Sequence, residues 1–239
     1  MSKKYEFTGE VKVVFGHALH RIRAAVAFGN VEKDEIGGWI ENESNLSHEG
    51  DAWVYGDAKV YGDAEVYGNA KVYGNAEVCG DAWVCGNAWV CGNAKVYGNA
   101  KVYGDAEVYG DAEVYGNAKV CGNAWVYGNA EVYGNAEVCG DAWVCGNAKV
   151  CGNAKVCGDA WVCGDAHYLT VGPIGSRGGF TTFFRTKSLE IGVTCGCFRG
   201  NIQEFAKKVE ETHGGNDHAR RYAAAIELAK ACIDLTAER

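Results

Sequence analysis

The most constraining feature of the chain is a valine at every sixth position from Val54 to Val162, nineteen in all, without one irregular spacing. Each unit continues with Tyr or Cys, then Gly, then Asn or Asp, then Ala, then Trp, Lys or Glu. A fixed short period indicates identical structural units that stack and bury one another's apolar faces. Six residues are too few for a helical repeat and suit one flank of a coiled β-solenoid.

The order of residues within a unit predicts which side chains face inward. Alanine and valine lie two residues apart, so in an extended segment both point to the same side, and we expect them to fill the interior. Glycine, asparagine and aspartate tolerate left-handed backbone conformations and therefore predict a corner in every unit. Three units then form a triangular coil of 18 residues, and successive coils stack about 4.8 Å apart.

The run GDAWVYGDAKVYGDAEVYGNAKV resembles the hexapeptide-repeat family, whose members form left-handed parallel β-helices and include many acyltransferases. The resemblance covers about half of the chain. The family often places glycine directly after the aliphatic residue, whereas here Tyr or Cys stands between them. The segments LHRIRA, GGWIENESNLSHEGDAWV and TVGPIGSRGGFTTFFRT further resemble bacterial and phage-borne proteins labelled as acetyltransferases. That label follows the fold, and fold alone does not establish chemistry.

The expected fold class is an all-β solenoid with a cover at each end. We expect a left-handed parallel β-helix over residues 51–166, an N-terminal β cap over 1–50 and a small C-terminal α+β domain over 167–239. Covers are needed because open coils expose strand edges and apolar core. In the C-terminal part, HYLTVG, GFTTFFRT and IGVTCGCF predict three strands. Two helices follow, one capped by Asn201 with Glu204 three residues later, the other from near Asp217 to about Leu235.

Composition bounds the location and the partners. The chain has no run of 18 apolar residues and no apolar segment of signal-peptide type at its start, so we expect a cytoplasmic protein without membrane association. Residues 51–166 carry 15 acidic and 7 basic side chains, which disfavours DNA or RNA as a partner. Each flank of the predicted solenoid has lysine as well as acidic residues, so no continuous line of negative charge results. The sequence therefore does not favour mimicry of nucleic acid either.

Nine of the twelve cysteines occupy the repeat position that tyrosine fills ten times. We interpret them as interchangeable occupants of one outward position. Cys121, Cys139 and Cys157 are 18 residues apart and are expected to stack on one flank, with Cys145 and Cys163 paired on another. Stacked thiols can bridge or bind a soft metal. A column does not gather four ligands around a point, so no metal site is predicted.

The position modulo 18 predicts which outward residues share a flank. Five of the six repeat tryptophans fall on one flank: Trp53, Trp89, Trp125, Trp143 and Trp161. A contiguous apolar face is a candidate interaction surface. We expect it to serve subunit packing; the alternatives are simple stacking between neighbouring strands, and binding of carbohydrate or another ligand.

No catalytic residue is predicted. The repeats contain no His, Ser or Thr, so a general base would have to come from the end domains. The six histidines, none with a partner at a telling spacing, all lie outside the regular repeats: His17, His20, His48, His167, His213 and His218.

The segment GPIGSRGGFTTFFRT is the candidate ligand-binding site. Glycines there let backbone amides approach an anion, and hydroxyl and guanidinium groups surround them. The candidate residues are Ser176, Arg177, Thr181, Thr182 and Arg185. The alternative is a strand pair with a flexible turn. Cys195 and Cys197 are expected to face the same way on one strand and to serve packing.

The expected function is that of a non-enzymatic binding or scaffold protein, assembled as a homo-oligomer and without a cofactor. The phage-borne resemblance suggests that it binds a host protein or sequesters a small anionic, nucleotide-like ligand. The alternative is an acyltransferase that uses acetyl-CoA, with end-domain histidines forming an active site between subunits. A third hypothesis, an ice- or surface-templating rod, predicts arrays of threonine that the repeats lack.

Overall fold

The computed structural model describes residues 3–236, which form a parallel β-solenoid with a cover at each end. Three strands come first: β1 (Tyr5–Val14), β2 (His17–Ala24) and β3 (Ile36–Ile40). Nineteen short strands, β4 to β22, follow in chain order at Trp53–Val54, Lys59–Val60, Glu65–Val66, Lys71–Val72, Glu77–Val78, Trp83–Val84, Trp89–Val90, Lys95–Val96, Lys101–Val102, Glu107–Val108, Glu113–Val114, Lys119–Val120, Trp125–Val126, Glu131–Val132, Glu137–Gly140, Trp143–Val144, Lys149–Val150, Lys155–Gly158 and Trp161–Val162.

Every third short strand lies on the same flank, so each residue pairs with the one 18 positions away. Lys59 pairs with Glu77 on one flank, and Trp125 pairs with Trp143 on another. The flank that contains Trp53 has seven strands in one sheet, and the flank that contains Glu65 has six. The third flank is continuous with β1, β2 and β3 in a sheet of nine strands. The predicted 18-residue parallel coil is confirmed.

Alanine and valine fill the interior as the repeat predicts. Every repeat alanine and valine from Ala52 to Val162 is buried, with at most 1 % of its surface exposed. Burial of apolar surface is the main favourable term in folding, and this core supplies it in every coil. The corners need glycine: Gly104 has φ +77°, and a Cβ there would lie 3.0 Å from the backbone nitrogen of Gly122 in the next coil.

The N-terminal cap closes the first coil with polar as well as apolar groups. Lys4 Nζ donates to the carbonyl of Ala52 at 2.8 Å, and Asn45 Nδ2 donates to the carbonyl of Ala64 at 2.8 Å. Tyr5 is buried, and its hydroxyl donates to the carbonyl of Leu46 at 2.9 Å. These side chains satisfy carbonyl groups that would otherwise face an open coil end. Because β3 pairs with the Lys59–Val60 strand, the solenoid ladder begins before residue 51.

The C-terminal cover is a four-stranded antiparallel sheet with two helices. Its elements are β23 (Tyr168–Ile174), β24 (Gly179–Arg185), β25 (Ile191–Cys195), β26 (Phe198–Asn201), α1 (Ile202–His213) and α2 (Asp217–Cys232). Phe184 joins the solenoid core, whereas Phe183 packs with Phe205 and Tyr222 in a second core beneath the helices. Alternate residues of β24 thus join the two cores.

Two details of the C-terminal prediction are wrong and one is confirmed. IGVTCGCF does not form one strand, because Gly196 has φ +57° and the chain turns there to begin β26. The second helix ends at Cys232 rather than near Leu235. The predicted capping box is present: Asn201 Oδ1 accepts from the Glu204 amide, and Glu204 Oε2 accepts from the Asn201 amide. None of the described helices is long and apolar enough to cross a membrane.

Candidate anion-binding cleft

The five residues predicted to bind an anion do not form one cluster. Thr181, Thr182 and Arg185 are buried in β24, each with at most 1 % of its surface exposed. Ser176 and Arg177 are exposed in the turn between β23 and β24. The alternating geometry of β24 sends its side chains to both faces of the sheet, so sequence proximity overstated their spatial proximity.

The three buried residues have structural partners. Thr181 Oγ1 donates to Cys195 Sγ at 3.1 Å, and Thr182 Oγ1 accepts from the backbone amide of Lys155 at 2.9 Å. Arg185 donates through Nε to the carbonyl of Trp161 at 3.2 Å and through Nη1 to that of Thr236 at 3.1 Å. The contacts of Thr182 and Arg185 fasten the C-terminal sheet to the last coil. That these three residues bind a ligand stays a prediction.

Ser176 and Arg177 instead line a cleft of about 410 Å³ between the last coil and the C-terminal sheet. The volume lies within the range of small-molecule sites. The other polar, sulfur-containing or aromatic residues of its lining come from the solenoid, β24, the end of β25, the β25–β26 turn and α2: Asn153, Lys155, Phe180, Cys195, Cys197 and Tyr222. The lining therefore combines two of the five predicted residues with residues that are distant in the sequence, such as Asn153 and Tyr222.

The cleft is positively charged. Its lining within residues 3–236 contains the cations Lys155 and Arg177 and no carboxylate. Lys155 Nζ lies 3.5 Å from Glu137 Oε2, but its side chain is half exposed, so the ammonium group remains available. Arg177 has no ion pair within residues 3–236. An anion in this cleft would meet one cation from the solenoid and one from the turn between β23 and β24.

Asn153 supplies a hydrogen-bond donor because it ends a ladder of stacked amides. Along one corner of the solenoid, Asn99 donates to Asn117, Asn117 to Asn135 and Asn135 to Asn153, with N···O distances of 3.3, 3.1 and 3.4 Å. Each Nδ2 donates to the next Oδ1, so hydrogen bonds along the ladder polarise one another in one direction. The ladder ends at the cleft, where the Asn153 NH₂ group has no partner among the described residues.

Tyr222 and Cys195 form part of the wall beside the turn. The Tyr222 hydroxyl lies 3.7 Å from Cys195 Sγ, and burial, followed by this contact, raises the pKa of Tyr222 to about 12. The hydroxyl therefore stays protonated at neutral pH. Gly175, with φ +76°, lies so close to Tyr222 that a Cβ would collide with its hydroxyl oxygen. Glycine is required here for both reasons.

The sequence suggested that Cys195 and Cys197 face the same way on one strand. The structure shows that they do not lie on the same strand. Cys195 ends β25 and is half-buried, whereas Cys197 is exposed in the turn before β26. The intervening Gly196 adopts the left-handed conformation that makes the turn.

The tryptophan flank is not a contiguous exposed surface. Trp53 is fully buried beneath the N-terminal cap, with the ring of Phe28 at 5.4 Å between centroids. The cations Lys187 and Arg185 lie 4.1 and 4.5 Å from the ring centroids of Trp143 and Trp161. The end covers thus occupy three of the five predicted positions, which corrects the prediction of one uninterrupted face.

Two tryptophans of this flank remain. Trp125 stacks on Trp143 with ring centroids 5.1 Å apart, and Trp89 is 41 % exposed. Stacking between neighbouring strands, the second alternative from the sequence, describes the Trp125 contact.

Four repeat cysteines form two disulfide bonds, Cys139–Cys157 and Cys145–Cys163. The predicted stacking is confirmed, because the bonded residues are 18 positions apart with Cα atoms 4.5 and 4.3 Å from each other. The interpretation of these four as interchangeable outward residues is wrong, since stacking brings their thiols within bonding reach. The described residues contain no group of three or more potential metal ligands.

Two histidines have acidic partners that the sequence did not reveal; His48 Nε2 lies 3.9 Å from Glu43 Oε2. His17 Nδ1 lies 2.9 Å from both carboxylate oxygens of Glu41, which also accepts from the Gly62 amide at 2.7 Å. The amide of Gly62 and then His17 lower the pKa of Glu41. His167 is buried and accepts from the Cys163 amide. No histidine lines the cleft.

Sequence reasoning also missed Asn153 and Lys155. Both belong to repeat units indistinguishable from their neighbours, and only their place in the last complete coil brings them to the cleft. The signal available was position: the unit that ends a repeat must meet whatever covers it.

Comparison with known proteins finds no family model that matches the chain and no match among the curated proteins. The resemblance to hexapeptide-repeat proteins and the left-handed sense of the coil therefore stay predictions.

Proposed function

We propose that this chain is a non-enzymatic binding protein of the hexapeptide-repeat type, whose cleft between solenoid and C-terminal sheet holds a small phosphate-bearing ligand of nucleotide size. The proposal rests on the convergence of Lys155, Arg177 and the terminal amide of Asn153 in a cleft whose described lining has no carboxylate. Charged donors on an anionic group make the stronger class of hydrogen bond, and a planar guanidinium suits phosphate oxygens.

Aromatic groups in the same cleft favour a nucleotide over a bare phosphate. Phe180 is 39 % exposed at the cleft and presents a ring on which a base can stack. The Tyr222 hydroxyl provides a donor on another wall. A stacked base contributes about 1–3 kcal/mol in proteins that bind nucleic-acid strands, so a ring at this place adds affinity and selectivity.

The lining gives less support to the acyltransferase alternative. An acyl transfer to a hydroxyl or amine needs a general base near the acceptor. The described lining of the cleft contains no histidine, aspartate or glutamate. Its groups donate hydrogen bonds and positive charge, which serves retention of an anion.

Binding is tested by titration calorimetry with inorganic phosphate, AMP, ADP and a cyclic dinucleotide. We expect heat of binding with at least one nucleotide, and a loss of affinity of about tenfold or more for Arg177→Ala and for Lys155→Ala, because each removes a charge-assisted contact. Lys119→Ala is the matched control, since Lys119 occupies the equivalent position on the same flank two coils away.

Two outcomes contradict the proposal. One is the absence of binding by all four probes. The other is binding that Arg177→Ala and Lys155→Ala leave as strong as Lys119→Ala does. Incubation with acetyl-CoA and amine or hydroxyl acceptors, followed by assay of the free thiol, addresses the alternative: steady release of thiol would favour the acyltransferase.

A further inference from the structure

The β1–β2 hairpin presents an apolar surface that residues 3–236 leave uncovered. Four odd-numbered side chains of β1 and its turn are exposed: Phe7 by 38 %, Val11 by 54 %, Val13 by 72 % and Phe15 by 84 %. Exposed apolar residues are common singly, whereas a row of them on one strand indicates an interface. This row is the most exposed apolar surface on the described part of the solenoid and its N-terminal cap.

The same strand is a sheet edge, and a bulge between Phe7 and Val11, where Gly9 has φ +93°, interrupts its regular pairing. β1 pairs with β2 on one side and is the last strand of its sheet, so within residues 3–236 its other edge has no strand partner. An edge with free N–H and C=O groups is a template for another strand. Addition of a strand would give those groups partners and extend the apolar row at the same time.

The sequence of β1 is complementary to itself in one antiparallel register. With Val11 opposite Val11 of a second copy, Glu10 of each copy, which adjoins the bulge, lies opposite Lys12 of the other. Opposite charges stabilise directly opposed residues of neighbouring strands. Glu10 is exposed and has no ion pair within residues 3–236, so this partner would be its first.

We propose that two copies of this chain form a symmetric dimer by antiparallel pairing of their β1 edges in this register. The apolar row becomes the centre of the interface, and two Glu10–Lys12 pairs fix the register. A two-fold axis makes the same patch serve both copies, as a closed dimer requires. The interface lies at the end of the solenoid away from the Lys155–Arg177 cleft, so it does not depend on the function proposed above.

Charge substitutions test the register. Glu10→Lys places lysine opposite lysine at both pairs, and Lys12→Glu places glutamate opposite glutamate. Like charges directly opposite each other destabilise, so we expect each variant alone to dimerise about tenfold or more weakly than the unchanged protein. A mixture of the two variants restores opposite charges across the interface, because one brings two lysines and the other two glutamates. Native mass spectrometry should then show a heterodimer of twice the 25.6 kDa chain mass.

Light scattering at increasing concentration supplies the baseline and the controls. We expect the unchanged protein and Leu228→Lys, a control at an exposed apolar residue of α2, to dimerise equally, and Val13→Lys to remain monomeric. Circular dichroism confirms that the variants stay folded. A monomer at every concentration would overturn the proposal. So would a dimer that the two charge variants leave unchanged, or a mixture of them that forms no heterodimer.

Discussion

The side-chain amide at the last corner of each ladder determines which hydrogen-bonding groups the end of the solenoid presents to a ligand. Asparagine and aspartate alternate at the corners without altering the coil: Asn87 donates to Asp105, and Asn123 donates to Asp141, each at 2.8 Å. An asparagine both accepts and donates, whereas an ionised aspartate only accepts. Exchange of one for the other at the end of a ladder therefore changes the ligand chemistry and leaves the fold intact.

Asn153→Asp is expected to abolish nucleotide binding, because it removes the free NH₂ donor and adds a negative charge to the cleft. The ladder below it survives, since the introduced carboxylate would still accept from Asn135. Calorimetry with the nucleotide that binds the unchanged protein measures the effect. Asn147→Asp is the matched control: Asn147 accepts from Asn129 on another corner of the same coil and lies outside the cleft. Equal affinity of the two variants would contradict the role of Asn153.

The environment of Glu41 predicts that the stability of the folded protein decreases at acidic pH. Its pKa is lowered in the folded protein from an ordinary value of 4.5, because it accepts hydrogen bonds from the Gly62 amide and from His17. A lowered pKa gives stability that is fully present above the ordinary value and is lost as the pH falls through the folded value. In Glu41→Gln the melting temperature should fall less steeply below about pH 4.5 than in the unchanged protein. Parallel curves from pH 7 to pH 3 would contradict this assignment.

At the scale of the element, each coil is held by a tight contact between stacked corners. The corner glycines from Gly56 to Gly158 all take a positive φ, and a Cβ on any of those from Gly62 to Gly140 would lie within 3.2 Å of a backbone atom of the next coil. The last corners differ because no further coil lies above them: a Cβ on Gly158 would meet nothing within 4 Å. Substitutions at different corners can therefore separate two effects of an added side chain: the backbone strain at positive φ and the collision with the next coil.

Gly104→Ala should destabilise the protein more than Gly158→Ala. The two positions have φ +77° and +72°, so both variants have the same backbone strain, on the order of 1–2 kcal/mol. Only at Gly104 does the added Cβ also press on the Gly122 nitrogen, at 3.0 Å. Urea unfolding followed by circular dichroism gives the two midpoints. If Gly158→Ala unfolds at a lower urea concentration than Gly104→Ala, the close contact between stacked corners does not determine the loss of stability.

The sequence predicts the coil well and the ends poorly, for a physical reason. The same six-residue pattern occurs nineteen times, so the inward direction of Val108 and the corner at Gly104 can be predicted from neighbouring residues alone. The burial of Trp53 depends on a cap whose contacts are all distant in sequence. The cleft likewise brings together Lys155 and Arg177, which are separated in the sequence by β22 and β23. No local sequence pattern at either residue predicts that the two lie in one cleft.

At the scale of the whole molecule, the two disulfide bonds lie at the C-terminal end of the solenoid. They join neighbouring coils just beneath the sheet that forms the cleft, and Cys157 contacts a second, smaller cavity of about 220 Å³ under the same sheet. A bond that closes a loop of 18 residues restricts the unfolded chain by about 3 kcal/mol in the chain-entropy account. The last coils are therefore selectively stabilised.

Reduction is expected to loosen this end first. With a phosphine reductant, hydrogen exchange should accelerate over residues 137–163 while the coils from 83 to 114 keep their protection, because their ladders contain no disulfide bond. Mass spectrometry after alkylation verifies the two bonds beforehand. Cys151→Ser, at a free cysteine in the same coils, is the control and should exchange like the unchanged protein. Uniform acceleration along the whole solenoid would contradict a local effect.

The strict 18-residue register of the solenoid lets its length vary independently of both ends. Removal of residues 87–104 would join Gly86 to Asp105, which has the same corner position as the asparagine it replaces, so every ladder would continue across the junction. The hairpin and the cleft would then stand closer together by one strand spacing, about 4.8 Å, with their own contacts unchanged. Loss or gain of whole coils during replication of such a repetitive gene would thus change the distance between the hairpin and the cleft, the two surfaces for which binding is proposed.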